Sequence, residues 1–492
     1  MGSVSSSAAC YPFARPFAGG WSPPQPAVAG GVRSRQNWAF HAFVLLVPLQ
    51  NLHTAYVPNL GGGLNFLNLM FLASLAMALR SGGRLVHGTG VNGWMWAYMA
   101  MAGLALLVGH AHVIDPANHA SLLKDHLIAL SFLFLAQMSA ADLAGVRRLL
   151  ALSLVPLPYT AWVVWDQHAA VSSWHYDHAL RISGTFPLLG ANEFAAFATT
   201  ALLVSGTLLL CLRTRLRWKL LLALVAFCAG LGVVLTYSRT AYVAVLLGAL
   251  LVVLLRRRRM QLMLPLLALA LVLPTLLPYS VVERFQSIEL EEDSADKSTT
   301  DRFKYWGVAL QRYGEHPLLG VGFHAFHHAE INPYRTDTHN FFLRELVEKG
   351  TVGFLVLAGL LAATWRTAWR LYRRGATGHW DYALGLALLA ALVAMGVANV
   401  FGDRFTYYPM VAHFWLYVGL VLRLVELRRR KGGSESPAPT SPAWRAPATA
   451  PPALRGPVAG GPAGRRAVLL CNAWNPGWRG GNAAGRQGGA GR

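Results

Sequence analysis

Cysteine, acidic residues and charge in general are scarce in this chain. Its 492 residues include four cysteines, at positions 10, 211, 228 and 471, and none lies in the long polar stretch 281–345. No disulfide framework is expected from that placement. Charged residues make up only 13% of the chain, against 54% hydrophobic. Residues 1–36 lack an apolar signal core, so no cleavable signal peptide is expected. There is no internal repeat, and no histidine or cysteine spacing of a familiar zinc site.

What fills the chain is a series of apolar runs, each long enough to cross a bilayer core of about 20 helical residues. Only helices and closed barrels satisfy their backbone in lipid. These runs are too long and too evenly apolar for barrel strands, so the fold class is an all-α polytopic membrane protein. Twelve spans are expected, near 37–57, 61–80, 92–110, 122–141, 146–165, 193–212, 217–236, 238–255, 260–280, 346–365, 380–402 and 405–425. A cytoplasmic segment 1–36 precedes them, and a Pro/Gly/Ala/Arg-rich tail, 426–492, follows and is expected to be disordered.

The net charge of +21 admits a nucleic-acid reading, which the distribution of the charge removes. With the N-terminus inside, most of the 43 Lys and Arg residues fall in inner loops, including Arg147, Arg148, Arg256 and Arg428. That is the positive-inside pattern of juxtamembrane anchors. It favours an even number of spans with both termini cytoplasmic. It also puts the loop 281–345, between spans nine and ten, on the outer side.

Four polar words stand out on that side. Arg181-Ile-Ser-Gly-Thr-Phe-Pro187 runs on to Asn192. Gly184 and Pro187 predict a turn, and Asn192 is placed to cap the sixth helix. Arg181 reads either as an anion contact or as a solvated loop residue. Thr236-Tyr-Ser-Arg239-Thr lies where two apolar spans meet. An arginine there either snorkels to headgroups or binds phosphate with its fork of donors. Arg302 and Trp306 are four residues apart and share one face of a helix. That face holds a phosphate or sugar, or lies on the membrane with Trp306 as anchor. Gly320 and Gly322 predict a tight turn after it. The last word is Asp337-Thr-His339-Asn340. His339 is the candidate general base, and Asn340 is either its partner or simply a helix cap. His324, His327 and His328 crowd the same loop without metal-site spacing.

In this order, the words R-x-S-G-T-F…N, S-R-T, R-x-x-x-W, P-L-x-G-V-G and H-N-x-x-L…E-x-G resemble the O-antigen ligase superfamily, over roughly 37–425. The resemblance implies metal-independent, inverting glycosyl transfer at the periplasmic face of the bacterial inner membrane, without a cofactor. The donor it implies is an undecaprenyl-pyrophosphate-linked glycan. The acceptor would be lipid A-core, as in lipopolysaccharide synthesis; a growing polysaccharide or a protein hydroxyl are the alternatives within the superfamily. It further implies that Arg239 and Arg302, with Arg181 as a third contact, hold the pyrophosphate, and that His339 activates the acceptor. Asn340, Trp306 and Asn192 are expected in support. A transporter is the rival of another class, hinted at by Asp125 and His126 in span four and the proline-rich ninth span.

Overall fold

The computed structural model describes residues 36–56, 65–110, 116–171, 180–256 and 292–434. Among them the fold is all-helical, with a single isolated bridge, Leu212 to Gly378, and no strand. In chain order the helices are α1 (Trp38–Leu46), α2 (Gln50–Tyr56), α3 (Phe66–Arg80), α4 (Val91–Gly109), α5 (Pro116–Ser139), α6 (Leu143–Leu154) and α7 (Leu157–Val171). They continue as α8 (Ala191–Cys211), α9 (Leu216–Leu235), α10 (Arg239–Leu255), α11 (Glu292–Glu315), α12 (Phe341–Arg374), α13 (Trp380–Val400) and α14 (Tyr408–Ser434). The chain divides into two compact units, residues 1–436 and 437–492. The second lies outside the described residues, as do residues 1–35.

Eight helices among the described residues are long and apolar enough to cross a membrane, where twelve spans are expected. The four remaining spans differ for separate reasons. The first is broken by Pro48, which has no N–H to continue a helix and separates α1 from α2. The second and eighth exist as the shorter apolar helices α3 and α10. The ninth, 260–280, lies outside the described residues, as do residues 281–291 of the polar loop. Pro156 interrupts the fifth in the same way as Pro48, yet α6 and α7 together still form one membrane-length stretch, Leu143–Val171.

Small residues set the packing. Helix α13 carries Ala383, Gly385, Ala387, Ala390, Ala391, Ala394 and Ala398, all buried, and packs against α8, α10 and α12. In lipid, helices associate mainly by close van der Waals approach, and small side chains permit it. Helix α14 lies along α5, with Phe414, Leu416, Val418 and Leu420 fully or nearly fully enclosed.

Helix α12 is two helices joined at a break. Gly350 adopts φ 64°, ψ −172°, a backbone that a side chain would strain. The first part, up to Lys349, buries Arg344, Glu345, Glu348 and Lys349. The second is the membrane-length shaft.

Candidate functional site

The site is built where the end of α11, the loop after it and the start of α12 meet the turn between α13 and α14. Helix α11 ends in the expected turn: Gly320 N–H donates to His316 O (3.0 Å). The next residues splice into the break of α12. Val321 and Gly322 N–H donate to the carbonyls of Val347 and Glu348 (2.9 and 3.0 Å), and Thr351 and Val352 N–H donate to Pro317 and Leu318 O (2.8 and 3.2 Å). Phe323 N–H reaches Ala105 O of α4 (2.9 Å). These glycines therefore serve backbone packing, and they satisfy polar groups that a broken helix would leave exposed.

An ionic core lies under the loop. Arg344, 4% exposed, contacts Glu348 (3.1 Å), Asp337 (3.1 Å), Asp403 (3.3 Å) and the Thr406 hydroxyl (3.3 Å), and its second Nη meets His324 Nδ1. Glu348 also accepts from His324 N–H (3.0 Å). Lys349 pairs with Glu345 (2.6 Å) and the Tyr98 hydroxyl (3.1 Å). A buried ion pair is costly to desolvate, and removing one partner strands the other. Here Arg344 at the start of α12 bridges Glu348 on its own helix to Asp337 of the loop and Asp403 of the turn, so the core locks the loop to the helix start.

His339 sits on this base. Its φ of 51° is uncommon for a residue with a side chain. Thr338, fully buried, holds the bend: its hydroxyl accepts from Asn340 N–H (3.2 Å) and donates to Asn340 O (2.8 Å). Trp306 Nε1 donates to Thr338 O (2.8 Å). The expected Arg302–Trp306 helix face is present, but Trp306 uses its indole to position the histidine loop. Asn340 caps α12, its Oδ1 accepting from Leu343 N–H (3.1 Å). Phe341 N–H donates to Gly402 O (3.1 Å), which ties His339 to the turn carrying Asp403 and Arg404.

That turn brings in a residue the sequence reading missed. Arg404 is buried and forms an ion pair with Glu193 of α8. Burial depresses the Arg302 guanidinium most, and the charges of Arg404 and Arg181 add to this. Burial likewise lowers the His339 imidazole; Asp337 opposes this, while Arg302 and Arg404 add to it. Three arginines, one carboxylate and one histidine thus share a local field. Burial raises Asp337, but Arg344 and His327 outweigh it and hold that carboxyl well below the usual range. Asp403 is pushed up to about 8 by burial, with Asp337 adding to the rise against Arg344.

The other expected residues are placed less directly. The Arg181 segment forms the predicted turn: Gly184 is clamped by Gln167 through two bonds of 2.9 Å, and Thr185 Oγ1 donates to Pro48 O (2.7 Å). Asn192 is not the cap of its helix. Gly190 occupies that position in α8, two residues earlier than Asn192. Asn192 instead accepts from the Ser238 hydroxyl (2.9 Å), linking α8 to the start of α10. Arg239 is the first residue of α10. Among the described residues no hydrogen bond or ion pair joins it to Arg302 or His339. Its neighbours Ser238 and Thr240 line a narrow cleft with Asn192 and Arg404.

The histidines of the loop have structural partners. His327 meets Asp337 (2.6 Å), His328 meets His119 (2.8 Å), and His119 meets Phe323 O (3.1 Å). Among the described residues no group of three or more His, Cys, Asp or Glu is arranged to hold a metal ion.

Residues 224–358 match the family model described as O-antigen ligase. That match supports membership of the O-antigen ligase superfamily. The matched segment of this ligase-family chain contains Arg239, Arg302, Trp306, His339 and Asn340, whereas Arg181, Asn192 and Arg404 lie outside it. A search of curated proteins finds no match. An O-antigen ligase- or polymerase-like function of glycosyltransferase type follows from the family.

Proposed function

We propose that this ligase-family protein transfers a glycan from an undecaprenyl-pyrophosphate donor to the hydroxyl of lipid A-core, at the periplasmic face of the inner membrane. The observation that carries the reading is a half-buried His339 that feels the charges of Arg302 and Arg404, with Arg181 acting in turn on Arg302. Arg239 joins the donor side from the start of α10. Arginine forks match phosphate oxygens, and pre-set positive charge stabilises a diphosphate as it leaves. The lowered imidazole stays neutral near pH 7 and can accept a proton.

The reaction then balances simply. The acceptor oxygen bonds to the anomeric carbon while its proton passes to His339. The bond from that carbon to the phosphate oxygen breaks, and the electron pair leaves with the diphosphate toward the arginines. Direct displacement inverts the anomeric centre, and no step calls for a metal. An apolar groove of about 290 Å³ between α12 and α13 begins at Phe342 and Phe405, beside the site, and runs to Trp365. Its chemistry suits a polyprenyl chain lying in the membrane.

A reconstituted assay with lipid-pyrophosphate glycan and lipid A-core tests this. His339→Ala and Arg302→Ala should each lower transfer by about 10²-fold or more. Full activity in either variant would overturn the assignment of that residue. Transfer only to a second lipid-linked glycan, or only to protein, would replace the acceptor.

A further inference from the structure

A second basic pocket lies at the opposite end of the bundle from His339. The helices themselves show the separation. Helix α5 (Pro116–Ser139) has His119 of its first turn beside the site and ends at Ser139; helix α14 starts just after Arg404 and carries Arg423 and Arg430 toward its far end. The pocket, of about 230 Å³, is lined by Arg84, Arg148, Arg423, Arg430, His41 and Asp142, with the Ser139 hydroxyl among them.

Arg423 is the informative residue. It is only 4% exposed, deep for a guanidinium. One Nη donates to the carbonyls of Arg84 (2.7 Å) and Gln137, which fixes the side chain. Its Nε is buried and has no hydrogen-bond partner. A buried donor without an acceptor is costly, so such a donor in a polar pocket points to a ligand. The negative groups nearby are already engaged. Asp142 Oδ1 accepts Gly145 N–H (2.7 Å) as the cap of α6, and Glu426 is paired with Arg430 (3.0 Å). Arg84 and Arg148 are exposed at the pocket and enter no ion pair among the described residues. Surplus positive charge surrounds the unsatisfied donor.

We propose that this pocket binds a phosphate oxyanion, supplied either by the headgroup of an anionic phospholipid or by free phosphate. The site is independent of the catalytic reading; with both termini cytoplasmic, it faces the inner leaflet. Guanidinium groups are suited to phosphate, and a fixed, largely desolvated one is more so.

The test is thermal unfolding of the full chain in neutral detergent. The probes are dioleoylphosphatidylglycerol, dioleoylphosphatidylcholine and inorganic phosphate. Phosphatidylglycerol should raise the midpoint by about 3 °C, as a ligand that binds only the folded state does, and phosphatidylcholine should not. Arg148→Gln and Arg84→Gln, both at exposed positions, should each remove at least about half of that rise while leaving the ligand-free midpoint unchanged. Arg370→Gln, exposed but outside the pocket, should keep it. A shift with inorganic phosphate alone, lost in the same variants, would support the site and identify free phosphate as its source. Equal shifts in wild type and Arg148→Gln would overturn the proposal, as would equal loss in Arg370→Gln or no shift with either anion.

Discussion

In the proposed reaction His339 is the base, and its environment fixes its working range. Its imidazole is lowered from 6.5, by burial first and by Arg302 and Arg404 in addition. A histidine lowered in this way takes up its proton only at a pH below 6.5. It therefore remains a base across neutrality and down past that value. The acid limb of kcat/KM should lie below pH 6.5, and a limb centred above it would contradict the role. Trp306 gives a second prediction. Trp306→Phe removes the hydrogen bond to Thr338 O but keeps an aromatic ring. A bond of that kind is worth about 0.5–1.5 kcal/mol, so kcat should fall by up to about 10-fold with normal amounts of folded protein. A loss in expression with unchanged kcat would make the tryptophan purely structural. His339, Arg302 and Arg181 could be proposed from the sequence because each belongs to a short polar word on the expected outer side, the first two within the polar stretch 281–345. Arg404 could not. It occupies a short turn between two apolar helices, where an arginine is as readily a headgroup anchor, and its effect on Arg302 acts across about a hundred residues of sequence. Trp306 was legible as part of a face, while its hydrogen-bond partner depended on where the loop returns.

Among the elements, the spliced break in α12 is the most demanding. Gly320 has φ +71°, and a Cβ there would lie 2.5 Å from Val347 O. Gly320→Ala should cost at least ~1–2 kcal/mol from the backbone alone, with the clash in addition, and should lower the unfolding midpoint. Gly314→Ala, in α11 with open space around it, is the control and should be neutral or slightly stabilising. Equal midpoints for the two variants would mean that the splice tolerates a side chain. The pattern of apolar runs revealed most of the helices, because length and hydropathy alone define them. It could not reveal that Pro48 ends α1, nor that α12 starts five residues before its apolar run: the early turns carry Arg344, Glu345, Glu348 and Lys349, which look solvated until their partners are known.

For the molecule as a whole, orientation is the open physical quantity, and charge bias predicts it. In a variant with Cys10 and Cys471 replaced by serine, the remaining Cys211 and Cys228 are buried. Leu318→Cys, at a position 67% exposed beside the site, should react with an impermeant maleimide from the periplasmic side. Arg370→Cys, at the far end of the α12 shaft, should react only after permeabilisation. The reverse pattern would invert the topology and the proposed substrates with it.

The splice at Gly350 also bears on how substrates arrive. Four main-chain hydrogen bonds bind the loop before the site to the two sides of a membrane-length helix. A loop held in that way does not swing aside as a cover, since releasing it would also unlatch the helix. Under the proposed function, traffic then passes sideways, along the bilayer plane and between helices, with donor and spent carrier entering and leaving at the depth where they already diffuse. The floor of the site and the shaft below it share one folding fate.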